Sequence, residues 1–251
     1  MHKEFLIAGN WKMFKTVAES REFIQALAKD FTAVPGLKVA VFPPFIALTG
    51  LRGLDAKIKI GAQNMFYEEK GAFTGEISPL MLQDLVDYVL LGHSERREIF
   101  KESDEDVNKK VRAALQFKLL PVLCVGETLQ EREAGKTMVK IKNQLEKAVR
   151  GVEICEMGKI VVAYEPIWAI GTGRNATPAQ AQEVHHFIKG IWQEMAPGQE
   201  LKILYGGSVK PENSLELLAQ DDISGVLVGG ASLTVDQFSA IIHSCVQLLN
   251  K

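Results

Sequence analysis

Several stretches of this 251-residue chain run from apolar residues into side chains able to move protons or hold anions. Asn10 and Lys12 follow the run beginning at Phe5, His93 follows Tyr-Val-Leu-Leu-Gly, and Glu165 follows Ile-Val-Val-Ala-Tyr. A carboxylate, an imidazole and an ammonium group together suit proton transfer beside a carbonyl. The carboxylate removes the proton, while the imidazole and the cation stabilise the resulting negative charge. After Glu165 the chain reads Pro166, Ile167, Trp168, Ala169, Ile170, Gly171, Thr172, Gly173, an apolar segment where a loop would ordinarily be polar. That segment reads as a lid that excludes water and raises the basicity of the carboxylate beneath it. Its alternative is plain packing against the next helix. His93 precedes Ser-Glu-Arg-Arg. A helix starting at Ser94 would set its positive end against the imidazole, favouring a neutral ring that donates to a carbonyl. The doublets Gly206-Gly207 (with Ser208) and Gly229-Gly230 let backbone N–H groups approach phosphate oxygens, with a helix N-terminus expected behind Gly230. Tight turns are their alternative. Lys12 is the one obvious formal positive charge among these residues.

The elements that must position these groups alternate in type. Apolar runs occur at 5–11, 38–44, 58–64, 88–94, 120–126, 160–166, 202–208 and 225–230. Most are continuous rather than alternating, the pattern of parallel strands covered on both faces. Helical patterns fill the gaps. Thr177, Pro178 and Gln180 form an N-terminal capping signature, and Ala181, Val184, Ile188, Ile191 and Met195 then make one apolar stripe. Ser103 caps a second stripe through Val107, Val111, Ala114 and Leu115. Segments 16–33, 136–150 and 234–249 are also helical by pattern, and 45–54 and 211–220 give shorter ones. Eight strand–helix units predict a closed parallel (β/α)8 barrel spanning 1–251 as one domain. An open doubly wound sheet that binds a dinucleotide would carry a glycine fingerprint after the first strand; here the chain reads Gly-Asn-Trp-Lys. In a barrel the strand ends converge on one face, so residues far apart in sequence share one pocket.

Composition narrows the class further. With 29 Lys and Arg against 31 Asp and Glu, the net charge of −2 gives no footprint for nucleic acid or a polybasic membrane surface. Hydrophobic residues at 47% and charged residues at 24% fit a soluble globular chain. Cys124, Cys155 and Cys245 are odd in number and widely spaced, which favours a reducing compartment over a disulfide framework. No apolar run reaches membrane-spanning length, and the N-terminal run lacks a signal-peptide centre, so a cytoplasmic location is expected. His185 and His186 are adjacent on a helix without an HExxH-type pairing, so no metal site is expected there. Cys124 reads as core.

The segments Gly-Asn-Trp-Lys-Met (9–13), Gly-Ala-Gln-Asn (61–64), Glu-Lys-Gly-Ala-Phe-Thr-Gly-Glu (69–76) and Leu-Gly-His-Ser-Glu-Arg-Arg (91–97) form an ordered set. Ala-Tyr-Glu-Pro-Ile-Trp-Ala-Ile-Gly-Thr-Gly (163–173), Tyr-Gly-Gly-Ser-Val (205–209) and Leu-Val-Gly-Gly-Ala-Ser-Leu (227–233) complete it. Together they resemble the triosephosphate isomerase family along essentially the whole chain. Phe14 stands where that pattern has a polar residue. The resemblance implies the TIM-barrel fold and interconversion of dihydroxyacetone phosphate and D-glyceraldehyde 3-phosphate, without cofactor or metal. It makes Glu165 the base, His93 the electrophile, Lys12 the cation opposing substrate charge, and Asn10 an orienting group. Glu95 would position Lys12, and Gly171, Ser208, Gly229 and Gly230 would offer backbone N–H groups to phosphate. It further implies a homodimer in which loop 67–76 enters a second subunit. There Thr74 would lie near Asn10 or Glu95 of the partner subunit, and Glu76 near Arg97 of the partner subunit. Two rivals are a Schiff-base aldolase using Lys12 and a catalytically silent phosphate-binding barrel.

Overall fold

The structure, a computed structural model, describes residues 3–170 and 176–250. Eight strands close in sequence order: β1 (Phe5–Asn10), β2 (Leu37–Phe42), β3 (Ile58–Ala62), β4 (Tyr88–Leu91), β5 (Leu120–Val125), β6 (Val161–Tyr164), β7 (Lys202–Tyr205) and β8 (Gly225–Val228). Every neighbouring pair is parallel, and β1 pairs with both β2 and β8 to complete the ring.

Each strand is apolar on both faces because each face has its own core. Leu6 and Ala8, Ala40 and Phe42, Leu90, Val122 and Cys124, and Ala163 fill the barrel interior. The alternating residues, such as Ile7, Val39, Val41, Val89, Leu123 and Val162, pack outward against the helices. The strand period of two dictates this division. It also places the chemistry: the inward rows bring Asn10 after Ala8 at the end of β1, and, continued past the strand ends, Glu165 after Ala163 and Gly229 after Leu227.

The helices start where the capping signatures lie. Thr177 accepts from Gln180 N–H at 3.2 Å, Gln180 answers the Thr177 N–H at 3.0 Å, and the helix runs Pro178–Met195. Ser103 and Asp106 make the same reciprocal cap for Asp104–Gln116. The remaining patterned helices are Val17–Asp30, Thr137–Ala148, Pro211–Leu218 and Val235–Leu249.

Three local expectations are corrected. Segment 45–54 is a 3-10 turn, Phe45–Ala47, followed by one helical turn, Leu48–Leu51. After β3 the chain makes a long loop and only a single turn, Pro79–Leu82, so the third unit lacks a full helix. Behind Gly230 lies a 3-10 turn, Gly230–Ser232, and the long helix begins only at Val235. The strong axial dipole expected at Gly230 is therefore weaker, because a three-residue turn aligns few peptide units.

Candidate active site

At the C-terminal end of the barrel a cavity of about 880 Å3 is lined by Asn10, Lys12, His93, Glu165, Gly229 and Gly230, among others. Ile170 and Ser208 also line it. Strands β1, β4, β6, β7 and β8 thus meet in one site.

Glu165 is almost wholly buried. Its Oε2 accepts the Ser94 N–H at 2.9 Å. Its Oε1 lies 3.0 Å from His93 Nε2 but is not aligned for a hydrogen bond. One carboxylate oxygen is thereby held by the first turn of a helix while the other remains unpartnered at the edge of the cavity. Cys124 lies beneath; burial, and then the Glu165 charge, push its thiol well above the usual range. It stays protonated, in keeping with a core residue.

His93 is set by the turn that carries it. Gly92 has φ +68°, a conformation glycine adopts freely. That turn breaks the strand alternation, so His93 reaches the cavity although its parity along β4 would send it outward. The expected short helix does start at Ser94, spanning Ser94–Glu98, with His93 as its cap. His93 Nδ1 accepts the Glu95 N–H at 3.2 Å. In the neutral ring the proton therefore sits on Nε2, the nitrogen facing Glu165 and the cavity.

Lys12 adopts φ +51°, unusual for a residue with a side chain. Asn10 Oδ1 accepts its N–H at 3.0 Å, and Gln63 Nε2 donates to its carbonyl at 2.8 Å. Gln63 also donates to Phe42 O at 2.8 Å, tying the Lys12 loop to β2. The Lys12 ammonium meets Glu95 Oε1 at 2.5 Å. Glu95 is absent from the cavity wall and reaches the site through its ion pair with Lys12.

The phosphate candidates divide. A Cβ built on Gly230 meets nothing within 4 Å, so this glycine borders open space. Ser208 N–H donates to Ala169 O at 3.1 Å, joining the strand-seven loop to the apolar segment. Lys210 also lines the cavity, so Lys12 is not its sole cation. The apolar segment forms a 3-10 turn, Ile167–Ala169, with Ala169 buried. Gly171, Thr172 and Gly173 lie outside the described residues.

Two positioning side chains carried no assignment from the sequence. Gln63 sits in the Gly-Ala-Gln-Asn segment, whose pattern alone does not show what its amide grips. Glu127, fully buried, accepts from Trp168 Nε1 at 2.9 Å, Tyr164 OH at 3.1 Å and Arg132 Nη1 at 3.2 Å. It anchors the start of the apolar segment. Its signal was available: it follows β5 in a Val-Gly-Glu sequence, a carboxylate at a strand end.

Other candidates fall elsewhere. His185 is fully buried against the Tyr164 and Tyr205 rings, and burial pushes its pKa down to about 3. His186 Nδ1 lies 3.0 Å from Asp222 Oδ2. Neither lines the cavity. Arg97 donates to Asp104 Oδ1 at 2.6 Å and Gly92 O at 2.7 Å, so it has partners within its own chain. Thr74 and Glu76 are exposed on the loop after β3, whose base is pinned by Phe66 N–H to Ile77 O at 2.8 Å. Among the described residues, no helix is long and apolar enough to cross a membrane.

A buried carboxylate, an imidazole and a pinned ammonium meet at the mouth of a (β/α)8 barrel, a set of groups suited to acid–base chemistry. A family model described as triosephosphate isomerase matches residues 5–245. The chain belongs to the triosephosphate isomerase family. It is 50% identical over 253 residues to the triosephosphate isomerase of Carboxydothermus hydrogenoformans, covering 98% of this chain and all of that protein. It is 52% identical over 244 residues to that of Alkaliphilus metalliredigens, covering 95% of this chain and 98% of the relative. Identity to the Roseiflexus castenholzii enzyme is 51% over 244 residues, covering 95% and 96%.

Proposed function

We propose that Glu165, His93 and Lys12 carry out in this chain the reaction of its family, the interconversion of D-glyceraldehyde 3-phosphate and dihydroxyacetone phosphate. The observation that carries this reading is the 3.0 Å approach of Glu165 Oε1 to His93 Nε2 inside the cavity that also holds Lys12. With substrate bound in that cavity, the carboxylate serves as base at the carbon and the His93 Nε2–H as proton donor at its oxygens. Glu165 takes the proton from the carbon beside the carbonyl, and the electron pair moves onto oxygen as an enediolate. The His93 Nε2–H and the Lys12 ammonium stabilise that charge. The His93 Nε2–H protonates that oxygen and the ring takes up the proton of the neighbouring hydroxyl, while Glu165 returns its proton to the other carbon as the new carbonyl forms. Its Oε2 leaves the Ser94 N–H as the carboxylate turns toward substrate. A glutamate base working beside a neutral imidazole is a well-known pattern of this enzyme class. The Ser94 and Glu95 contacts around Glu165 and His93 support the same division of labour.

Gly229 and Gly230, with Gly171, are the groups we assign to the phosphate, and Ser208 joins them once its N–H is released from Ala169 O. The open space at Gly230 supports that assignment, and the Ser208–Ala169 hydrogen bond gives phosphate binding a route to the lid. The Lys12–Glu95 ion pair favours an electrostatic over a Schiff-base role for this lysine.

The same reading includes a homodimer. Met13, Phe14, Ile46, Met81, Ile99 and Phe100, carried by the segments that follow β1, β2, β3 and β4, are exposed apolar residues. Large exposed apolar side chains on four successive strand-to-helix segments support an association surface. Phe73 belongs to the same arm as Thr74 and Glu76 and packs against Phe66, ring centres 4.5 Å apart. Because Arg97 already binds Asp104, Glu76 of the partner subunit would join an existing pair. The free cysteines support a cytoplasmic enzyme.

A coupled assay with glyceraldehyde 3-phosphate tests the reaction, run in heavy water to follow the proton. Turnover with solvent deuterium entering the carbon beside the carbonyl is expected. Turnover without any exchange from solvent, at every extent of reaction, would count against a glutamate-mediated proton transfer.

A further inference from the structure

Lys15 belongs neither to the cavity wall nor to the apolar association face, yet it has an unusual conformation. Its φ is +73°, which for a residue with a β-carbon is unfavourable unless surrounding contacts hold it. Those contacts are specific. The Lys15 ammonium lies 4.6 Å from the Phe23 ring centre and 5.4 Å from that of Trp11. The Trp11 and Phe23 rings are themselves packed edge to face at 4.9 Å. Beyond them, Lys15 Nζ donates to Leu233 O at 2.8 Å.

Leu233 closes the loop that carries the proposed phosphate amides. It caps the 3-10 turn Gly230–Ser232, with its N–H bonded to Gly230 O at 3.0 Å. Ser232 N–H and Oγ both bond to Gly229 O, at 2.8 and 2.7 Å. The loop is therefore braced inside by its own hydrogen bonds and held from outside at the Leu233 carbonyl. On the cavity side, Lys12 Cε lies 3.7 Å from the Cβ position of Gly229. The loop after β1 thus holds the loop after β8 through Lys15, behind the cavity wall that Lys12 and Gly229 share.

We infer that Lys15 is a positioning residue that locks the Gly229–Gly230 amides in register with Lys12, and thereby sets the affinity of the site for the substrate phosphate. The inference rests on the phosphate assignment above. A displaced amide loses geometry in the ground and transition states alike, because the phosphate does not change during the reaction. The effect belongs in KM rather than kcat.

The test compares wild type with Lys15→Met, which keeps the stem but removes the donor, and Lys15→Arg, which keeps a charged donor. Inorganic phosphate serves as a competitive inhibitor. Loss of one positioning hydrogen bond should raise KM for glyceraldehyde 3-phosphate and the phosphate inhibition constant together, by about three- to tenfold. Turnover number should stay within about twofold, unphosphorylated glyceraldehyde should react as with wild type, and Lys15→Arg should restore phosphate affinity. Should Lys15→Met fail to fold, Lys15→Gln, whose amide falls short of Leu233, carries the same expectation. A variant that melts earlier but keeps wild-type KM and phosphate inhibition would overturn the inference, leaving Lys15 a structural strut. So would a difference that vanishes in about 1 M salt, where screening falls to about 3 Å, since that would mark a through-space charge effect. Wild type that phosphate does not inhibit would instead overturn the phosphate assignment itself.

Discussion

Two hollows of nearly equal size differ in everything that matters for chemistry. One, of about 880 Å3, sits at the C-terminal mouth of the barrel. The other, of about 870 Å3, lies on the flank, lined by Tyr67, Arg112, Lys118, Glu153, Glu156 and Lys159 among others. The flank hollow carries more charged side chains, but Arg112, Lys118, Glu153 and Lys159 are exposed, and Lys159 is paired with Glu156 at 2.7 Å. Water screens such groups and leaves their orientation loose. At the mouth, Asn10, His93 and Glu165 are buried and each is aimed by backbone contacts. Size does not make a site; burial with enforced direction does, because charge stabilisation needs groups oriented before the reaction begins.

The sharpest way to break this comparison is at Glu165. Glu165→Asp withdraws the carboxylate by roughly 1 Å and should lower kcat on the order of 10²-fold, with KM within a few-fold. Steady-state kinetics on the folded variant decides it, and near-normal turnover would remove Glu165 from the role of base.

A second substitution asks whether the mouth is complete in one chain. Thr74→Arg with Glu76→Arg places two cations on the arm proposed to meet Arg97 of the partner subunit. Like charges buried at an interface are strongly unfavourable. Sedimentation should show monomers, with turnover reduced at equal protein concentration. A fully active dimer would separate the arm from the interface.

Gly230→Val sharpens what the mouth binds. Its Cβ meets nothing within 4 Å, so the fold should survive while the side chain enters the space assigned to phosphate. KM for glyceraldehyde 3-phosphate should rise. Unphosphorylated glyceraldehyde should suffer much less. Equal fractional losses on both substrates would point to general damage.

The smallest effect belongs to the flank. Arg112→Ala with Lys118→Ala should leave kcat and KM at wild-type values, with stability changed by no more than about 0.5 kcal/mol per site. A marked kinetic defect there would show that the second hollow communicates with the first.

Much of the barrel and its mouth is legible in the order of residues. The doubly apolar runs specify strands with two cores, and the caps at Thr177 and Ser103 locate helix starts, because both signals depend on neighbours in sequence. Asn10, His93 and Glu165 are recognisable as strand-end polar residues in an otherwise apolar context, and the family motifs assign their roles.

Tertiary structure decided the rest, for reasons of distance. That Gln63 holds the Lys12 carbonyl, that Glu127 gathers Trp168, Tyr164 and Arg132, and that Lys15 reaches Leu233 are contacts that no local period or spacing encodes. Most of them join segments remote in sequence. The third unit's missing helix and the 3-10 turn at Gly230 have the same origin: short segments take their conformation from the packing around them. The sequence by itself determined which groups could do chemistry and the barrel that gathers them. Only the closed barrel determined which of those groups face one another, which are held behind by a second residue, and which are spent on structure.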